Sequence, residues 1–251
     1  MLGAVVVRML RAMAPRVDEL DDGIFRICSS VPGGATVNQF LIDADEPLLF
    51  HAGTRRLFDD VAAAVAAVMP LERLRWLSFS HIEADEMGAM NRWLDAVPGL
   101  QVIHSPEACA MSLDDLADRA PRRLAPGDTL ELGGRNVRMI ATPNLPHNGE
   151  ATMMLEAVTG TLLCSDLGSN RIDRALSDEL VLGLDDGLPP FPGVTAVTPR
   201  TPVVLRELAA FEPTVLAIMH GAAFRGDVGA LLQTFADVCE EHLGHDRSLQ
   251  S

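Results

Sequence analysis

SHIEADEMG, residues 80–88, begins where the apolar run RWLSFS (75–80) ends and leads directly into helix-forming sequence. A short apolar run of this kind reads as a buried strand. His81, Glu83 and Asp85 then recur with period two, so in an extended loop their side chains leave on one side and can converge. A histidine followed by acids at this spacing arises by chance about 0.13 times in a chain of this composition, so the triplet alone is a moderate signal. Its bland alternative is a solvated, acidic helix start with Asp85 as N-cap. What surrounds it decides between the two.

Upstream lie three β-like runs, GIFRICSSV (23–31), ATVNQFLID (35–43) and PLLFHAG (47–53), separated by Pro-Gly-Gly and Asp-Glu-Pro turn signals. TRRLFDDVAAAVAAVM (54–69) has helical apolar spacing, with Thr54 as a possible N-cap and Pro70 as a stop. A second helix is expected over 86–96, then a strand over 101–105 and a helix opened by Ser105-Pro106. From Asp128 the pattern returns to strands: TLELGG, NVRMIATP, ATMMLEAV and TGTLLCSD. Helix 201–211, strand 214–221 and helix 227–243 close the chain. Two β-rich halves, dividing near residue 127 and each ending in strand-plus-helix units, predict an α/β (α+β) fold, a four-layer αββα sandwich. Both halves share one site, so residues 1–251 are expected to form one domain. Residues 167–197, rich in Gly, Pro and Asp, read as an irregular excursion and a candidate lid loop. Its Asp173, Asp178, Glu179, Asp185 and Asp186 would discourage anionic substrates.

Composition narrows the function. The 20 basic residues are all arginine, against 35 acidic ones, giving a formal charge of -15, and tyrosine is absent. Lysine Schiff-base chemistry, a phosphate-binding P-loop lysine and tyrosine acids or radicals are therefore excluded. The absence of a basic cluster argues against nucleic acid. Four dispersed cysteines form no CxxC pair, which fits a reduced, cytoplasmic protein. Residues 1–16 read as an N-terminal extension: Arg8 and Arg11 interrupt its apolar run, which is too short to span a bilayer. No other segment approaches membrane length.

Three more positions stand just beyond expected strands: His147 after NVRMIATP, Asp166 at the end of TLLCSD and His220 at the end of TVLAIMH. Singly, such residues are turn formers or satisfied structural histidines. Together with His81, Glu83 and Asp85 they resemble the diiron site of flavodiiron proteins, the oxygen-binding diiron branch of the metallo-β-lactamase fold. The resemblance spans about residues 20–240 and fills all six ligand positions. It implies that His81, Glu83 and His147 bind one iron, Asp85 and His220 the other, and Asp166 bridges them with an oxo or hydroxo ligand. Three carboxylates make a harder donor set than histidine-rich zinc sites. Glu83 also stands where the hydrolase branch carries a second histidine.

One position departs from the family. Histidine often follows the Asp of the first motif, and here the residue is Glu86: a seventh ligand, a second-sphere acid, or an exposed helix-start residue. Glu150 and Ser165 are candidates for orienting ligands by hydrogen bonds. His51 sits where many members of the fold carry aspartate, so it either approaches the site or is a strand-end histidine with a solvent partner. His104 and Cys164 read as packing residues, as do Met87 and Met90.

The resemblance implies a non-haem diiron protein that binds, senses or reduces O2 or NO. Only 31 residues follow His220, so no fused flavin module is expected. Electrons would come from a separate flavin or rubredoxin-type donor, and a homodimer is implied because the family's donor docks from a second subunit. The alternatives are a binuclear hydrolase with two zinc ions, acting on an ester, thioester or lactam, and a non-catalytic metal-binding or interaction domain.

Overall fold

A tight turn at Gly23, whose φ of 65° favours glycine, folds β1 (Arg16–Asp21) back on β2 (Ile24–Ser30). The antiparallel run continues through β3 (Thr36–Ile42) and β4 (Leu48–Phe50). Beyond it, β5 (Trp76–Ser78), β6 (Gln101–His104) and β7 (Arg122–Arg123) add in parallel. The computed structural model describes residues 14–179 and 197–249.

The second sheet holds β8 (Thr129–Glu131), β9 (Asn136–Ala141), β10 (Thr152–Glu156), β11 (Thr161–Ser165), β12 (Leu176–Ser177), β13 (Val215–Ile218) and β14 (Ala223–Arg225). Its order is β12-β14-β13-β11-β10-β9-β8. The division between sheets falls between residues 123 and 129, where the turn chemistry put it.

Period-two alternation builds the layers. Phe40, Ile42, Leu48, Phe50 and Trp76 point from the first sheet toward Leu130, Val137, Met139, Met154 and Leu163 of the second. The intervening residues Leu41, Leu49 and Leu77 face outward and pack under the helices Phe58–Val68 and Met90–Ala96. On the other side Leu162, Cys164, Leu216 and Ile218 pack under Thr201–Ala209 and Val228–Leu249. The result is a mixed α/β structure of four layers.

Several elements differ from the expectation. The helix over 86–96 is two, Ala84–Met87 and Met90–Ala96, because the amide of Ala89 donates to the carbonyl of Gly53 at 2.8 Å and leaves the helical ladder. The stretch from 167 is irregular only in part: β12 pairs in parallel with β14. Residues 180–196 of the candidate lid, with Asp185 and Asp186, lie outside the described residues, as do residues 1–13 of the N-terminal extension. Within 167–179, Asp173 pairs with Arg16 at 2.7 Å and Glu179 with Arg174 at 3.3 Å.

Polar crosslinks lock the sheets together at one end. The buried guanidinium of Arg26 donates to Asp18 and to the carbonyls of Arg174 and Gly221. The Asn38 side chain donates to the carbonyls of Ile218 and Gly221, and its backbone amide to Met219. These bonds tie β2 and β3 to the residues on either side of His220.

Candidate metal centre

Because β10 runs antiparallel to both β9 and β11, and β11 parallel to β13, the strands β9, β11 and β13 all end on one edge of the second sheet. They deliver His147, Asp166 and His220 there. From the first sheet, β4 and β5 deliver His51 and the 80–88 segment. The loop carrying His147 is tightened by left-handed residues at Asn144 and Asn148 and by the Asn144 amide donating to the Asn148 carbonyl. Both are asparagine, a residue that tolerates this conformation.

The six expected residues converge as two donor sets sharing one carboxylate. Glu83 Oε2 lies 3.0 Å from His81 Nε2 and 2.9 Å from His147 Nε2. Asp166 Oδ2 is 3.8 Å from His81 Nε2 and 3.9 Å from His147 Nε2. On the other side, His220 Nε2 is 3.2 Å from Asp166 Oδ1 and 3.4 Å from Asp85 Oδ2. Asp166 thus turns one oxygen to each set. His81, Glu83, His147 and Asp166 each offer a donor atom within 4.8 Å of the others.

These residues fit a metal. Neighbouring ligands of one ion, bound at about 2.1 Å, stand about 3 Å apart, close to the separations of Glu83 from His81 and from His147. Two of the histidines that face carboxylates through Nε2 have a partner at the other nitrogen, as metal-binding histidines commonly do: Ser80 Oγ lies 3.3 Å from His81 Nδ1, whereas His147 Nδ1 has no partner among the described residues. The His220 Nδ1–H donates to the carbonyl of Thr36 at 2.6 Å. Thr36 lies on β3, across the sandwich, and no sequence signal marks it.

The remaining candidates take distinct places. Glu86 is 1% exposed, which overturns the reading of an exposed helix-start residue. It accepts from the Ser80 amide at 2.8 Å and the Ser165 hydroxyl at 2.5 Å. His51 is wholly buried, which overturns the reading of a solvent partner. Its Nδ1 donates to the Asn38 carbonyl at 3.1 Å, and its Nε2 stands 3.3 Å from Glu86 but misaligned for a hydrogen bond. Ser165 donates to Glu86, not to Asp166 beside it. Glu150 accepts from the amide of Ile82 at 3.1 Å and so steadies the loop between His81 and Glu83. His104 and Cys164 are wholly buried; burial lowers the His104 pKa to about 4 and pushes the Cys164 thiol up.

The donors hold one another's charge. Burial lowers the His81 pKa, but the hydrogen bond to Glu83 and the charges of Glu86, Asp166 and Glu83 outweigh it and raise it to about 9. Burial likewise opposes charge on His220, and its bonds to Asp166 and Asp85 raise it to about 10. Hydrogen bonds from His147 and His81 hold Glu83 well below the carboxylate range. Burial pushes Asp166 up, but the His220 bond and the charges of His220, His81 and His147 prevail and hold it low.

A metal binding here competes with protons on His81 and His220. Both pKa values are raised, so the protons are held through neutral pH and the competition fades only as pH approaches about 9 to 10. Metal affinity is therefore expected to climb with pH between about 6 and 9, with protons released on binding. Chelator competition in weakly buffered solution measures both; a flat profile without proton release contradicts it.

Two facing sheets, outer helices and a histidine–carboxylate cluster on one sandwich edge define a metallo-β-lactamase-like protein of the flavodiiron type. The sequence matches the ODP family beta lactamase over residues 35–186, and the chain belongs to that family. It is 26% identical over 180 residues to the type A flavoprotein FprA of Rhodobacter capsulatus, an alignment covering 68% of this chain and 41% of that protein. The chain thus spans less than half the length of that relative. A mutant of the flavo di-iron protein from Thermotoga maritima superposes with a TM-score of 0.78 at 15% identity, covering 90% of this chain and 62% of that one. The apo state of the chemotaxis sensor ODP from T. denticola gives 0.70 at 18% identity, covering 89% and 93%. Among the described residues, no helix is long and apolar enough to cross a membrane.

Proposed function

We propose that this chain is a non-haem diiron protein that binds, senses or reduces O2 or NO. The observation that carries the reading is Asp166, whose two oxygens face two separate donor sets. On this reading His81, Glu83 and His147 would hold one iron and Asp85 and His220 the other, with Asp166 offering an oxygen to each. Three carboxylates favour iron over zinc in such a set. When bound, the pair supplies two adjacent one-electron centres to a diatomic ligand. The protein's own residues orient the donors: Thr36 fixes the tautomer of His220, and Glu150 fixes the loop that presents Glu83. The name of the type A flavoprotein relative supports flavin-linked electron supply, and the donor we propose is a separate flavin or rubredoxin-type protein. The working unit we propose is a single-domain chain acting in the cytoplasm as a homodimer.

The test is direct. Iron-loaded protein reduced with dithionite should lose its near-ultraviolet ferric absorption and regain it within the mixing of O2, while NO should give a distinct spectrum. A colourless protein that holds two zinc ions and hydrolyses an ester, thioester or lactam would establish the hydrolase instead. Glu83→His is expected to lower iron affinity relative to zinc by about tenfold or more, since an imidazole replaces an oxygen donor. Unchanged metal preference and O2 reactivity would remove Glu83 from the ligands.

A further inference from the structure

We infer that Glu86 is a positioning residue of the metal centre: a buried, non-ligating carboxylate that fixes His81 from behind through Ser165. The inference rests on the binuclear reading above and extends it to a residue where this chain departs from its family.

A carboxylate at 1% exposure is expensive to bury unless its oxygens are fully engaged. Those of Glu86 are. Oε2 accepts from the Ser80 amide at 2.8 Å and faces His51 Nε2 at 3.3 Å. Oε1 accepts from the Ser165 hydroxyl at 2.5 Å and lies 3.7 Å from His81 Nδ1. The backbone carbonyl of Glu86 accepts from the Ala52 amide at 2.6 Å, so the residue is clamped at both ends. One side chain thereby joins the ends of β4, β5 and β11.

The direction of these contacts excludes ligation of the ion that His81 would hold. The Nε2 of His81 faces Glu83 and Asp166, whereas Glu86 lies toward Nδ1, the adjacent face of the ring turned to the interior. Around Nδ1 stand Ser80 Oγ at 3.3 Å and Ser165 Oγ at 3.5 Å. The single proton of Ser165 goes to Glu86, which leaves the serine's lone pairs for a proton on Nδ1. Glu86 thus selects the tautomer that carries hydrogen on Nδ1 and frees Nε2 for metal.

Left-handed backbone gathers around the same carboxylate. His51 has a φ of 71° and Ser165 a φ of 54°; histidine enters this region more readily than most side chains, and serine does not. Both touch Glu86. The fold sustains a strained corner at Ser165 to bring its hydroxyl to a buried acid. A negative charge held there, poorly screened, favours the more positive oxidation state of a metal on His81.

The experiment uses zinc(II) as a redox-silent probe and iron for the potential. Glu86→Gln keeps the shape and removes the charge. It should still bind two metals per chain, with zinc affinity reduced about 10–100-fold and the iron midpoint potential moved positive. Ser165→Ala, which leaves the carboxylate in place, should weaken zinc in the same direction by less and serves if the first variant does not fold. Binding of one metal per chain by Glu86→Gln would make Glu86 a ligand and overturn the inference. So would unchanged affinity and potential. Failure of the diiron reading is separate: wild-type protein would hold two zinc ions yet show no redox-active iron pair, while the zinc arm would still judge Glu86.

Discussion

Asp166→Ala is expected to abolish binuclear metal binding. Asp166 offers Oδ2 toward His81 and His147 and Oδ1 toward His220. Its loss strips an oxygen donor from both sets at once. Removing partners that merely orient ligands costs about 10–100-fold in affinity. Loss of a shared ligand is expected to exceed about 100-fold and to leave at most one weakly held ion. The metal-free protein changes too, since His81, His147 and His220 lose a common counter-charge. Elemental analysis after gel filtration, with thermal unfolding with and without added metal, checks both parts. Retention of two ions, with the metal-induced rise in Tm unchanged, would remove Asp166 from the bridge.

The second large effect lies beneath the site. Trp93 is fully buried, meets the Phe58 ring edge-on at 5.0 Å, and donates from its indole N–H to the Ala52 carbonyl at 2.9 Å. It therefore holds the helix Met90–Ala96 against the corner that follows His51. Trp93→Ala opens a cavity and is expected to cost about 3–5 kcal/mol. It also frees the Ala52 carbonyl, whose own amide reaches Glu86. Urea unfolding of the metal-free protein should show the loss as a lower midpoint at similar slope. A change below about 1 kcal/mol would mean that this corner is held by other contacts. Trp93→Phe, which retains most of the apolar volume, should recover a large part of the stability.

The elements behind these two effects are unequally visible in the sequence. The four layers were legible because strands such as Leu48–Phe50 and Thr161–Ser165 are short, largely apolar and turn-bounded, and the helix over 58–68 carries clear periodicity. The strand β1 was not, because as an exposed edge it buries little besides Leu20 and shows no apolar alternation. Nor were β7, β12 and β14, which have two or three residues each and are defined by their partners. The break at Gly88–Ala89 followed from a bond to Gly53, a contact between distant segments that no local propensity encodes.

The site shows the same division. Donor residues at strand ends can be recognised by type and spacing, and His81, Glu83, Asp85, His147, Asp166 and His220 do come together. The groups that orient them are only partly visible that way: Glu150 and Ser165 stand near donors in the sequence, but the partners they take are set by the fold. Thr36 acts through its backbone carbonyl, which any residue supplies. Glu86 looked equally like a ligand, a support or a solvated helix start. Only its burial, and the three strand ends meeting at its carboxylate, separate those roles.

Iron quantification joined to Mössbauer spectroscopy of the wild-type chain distinguishes a diiron centre from every other occupant. Two irons per chain are expected and, in the oxidised state, a coupled ferric pair without net magnetism, lost on reduction with dithionite and restored by O2. Isolated, uncoupled iron at one per chain or less, or a site that accepts only zinc, would contradict the diiron reading.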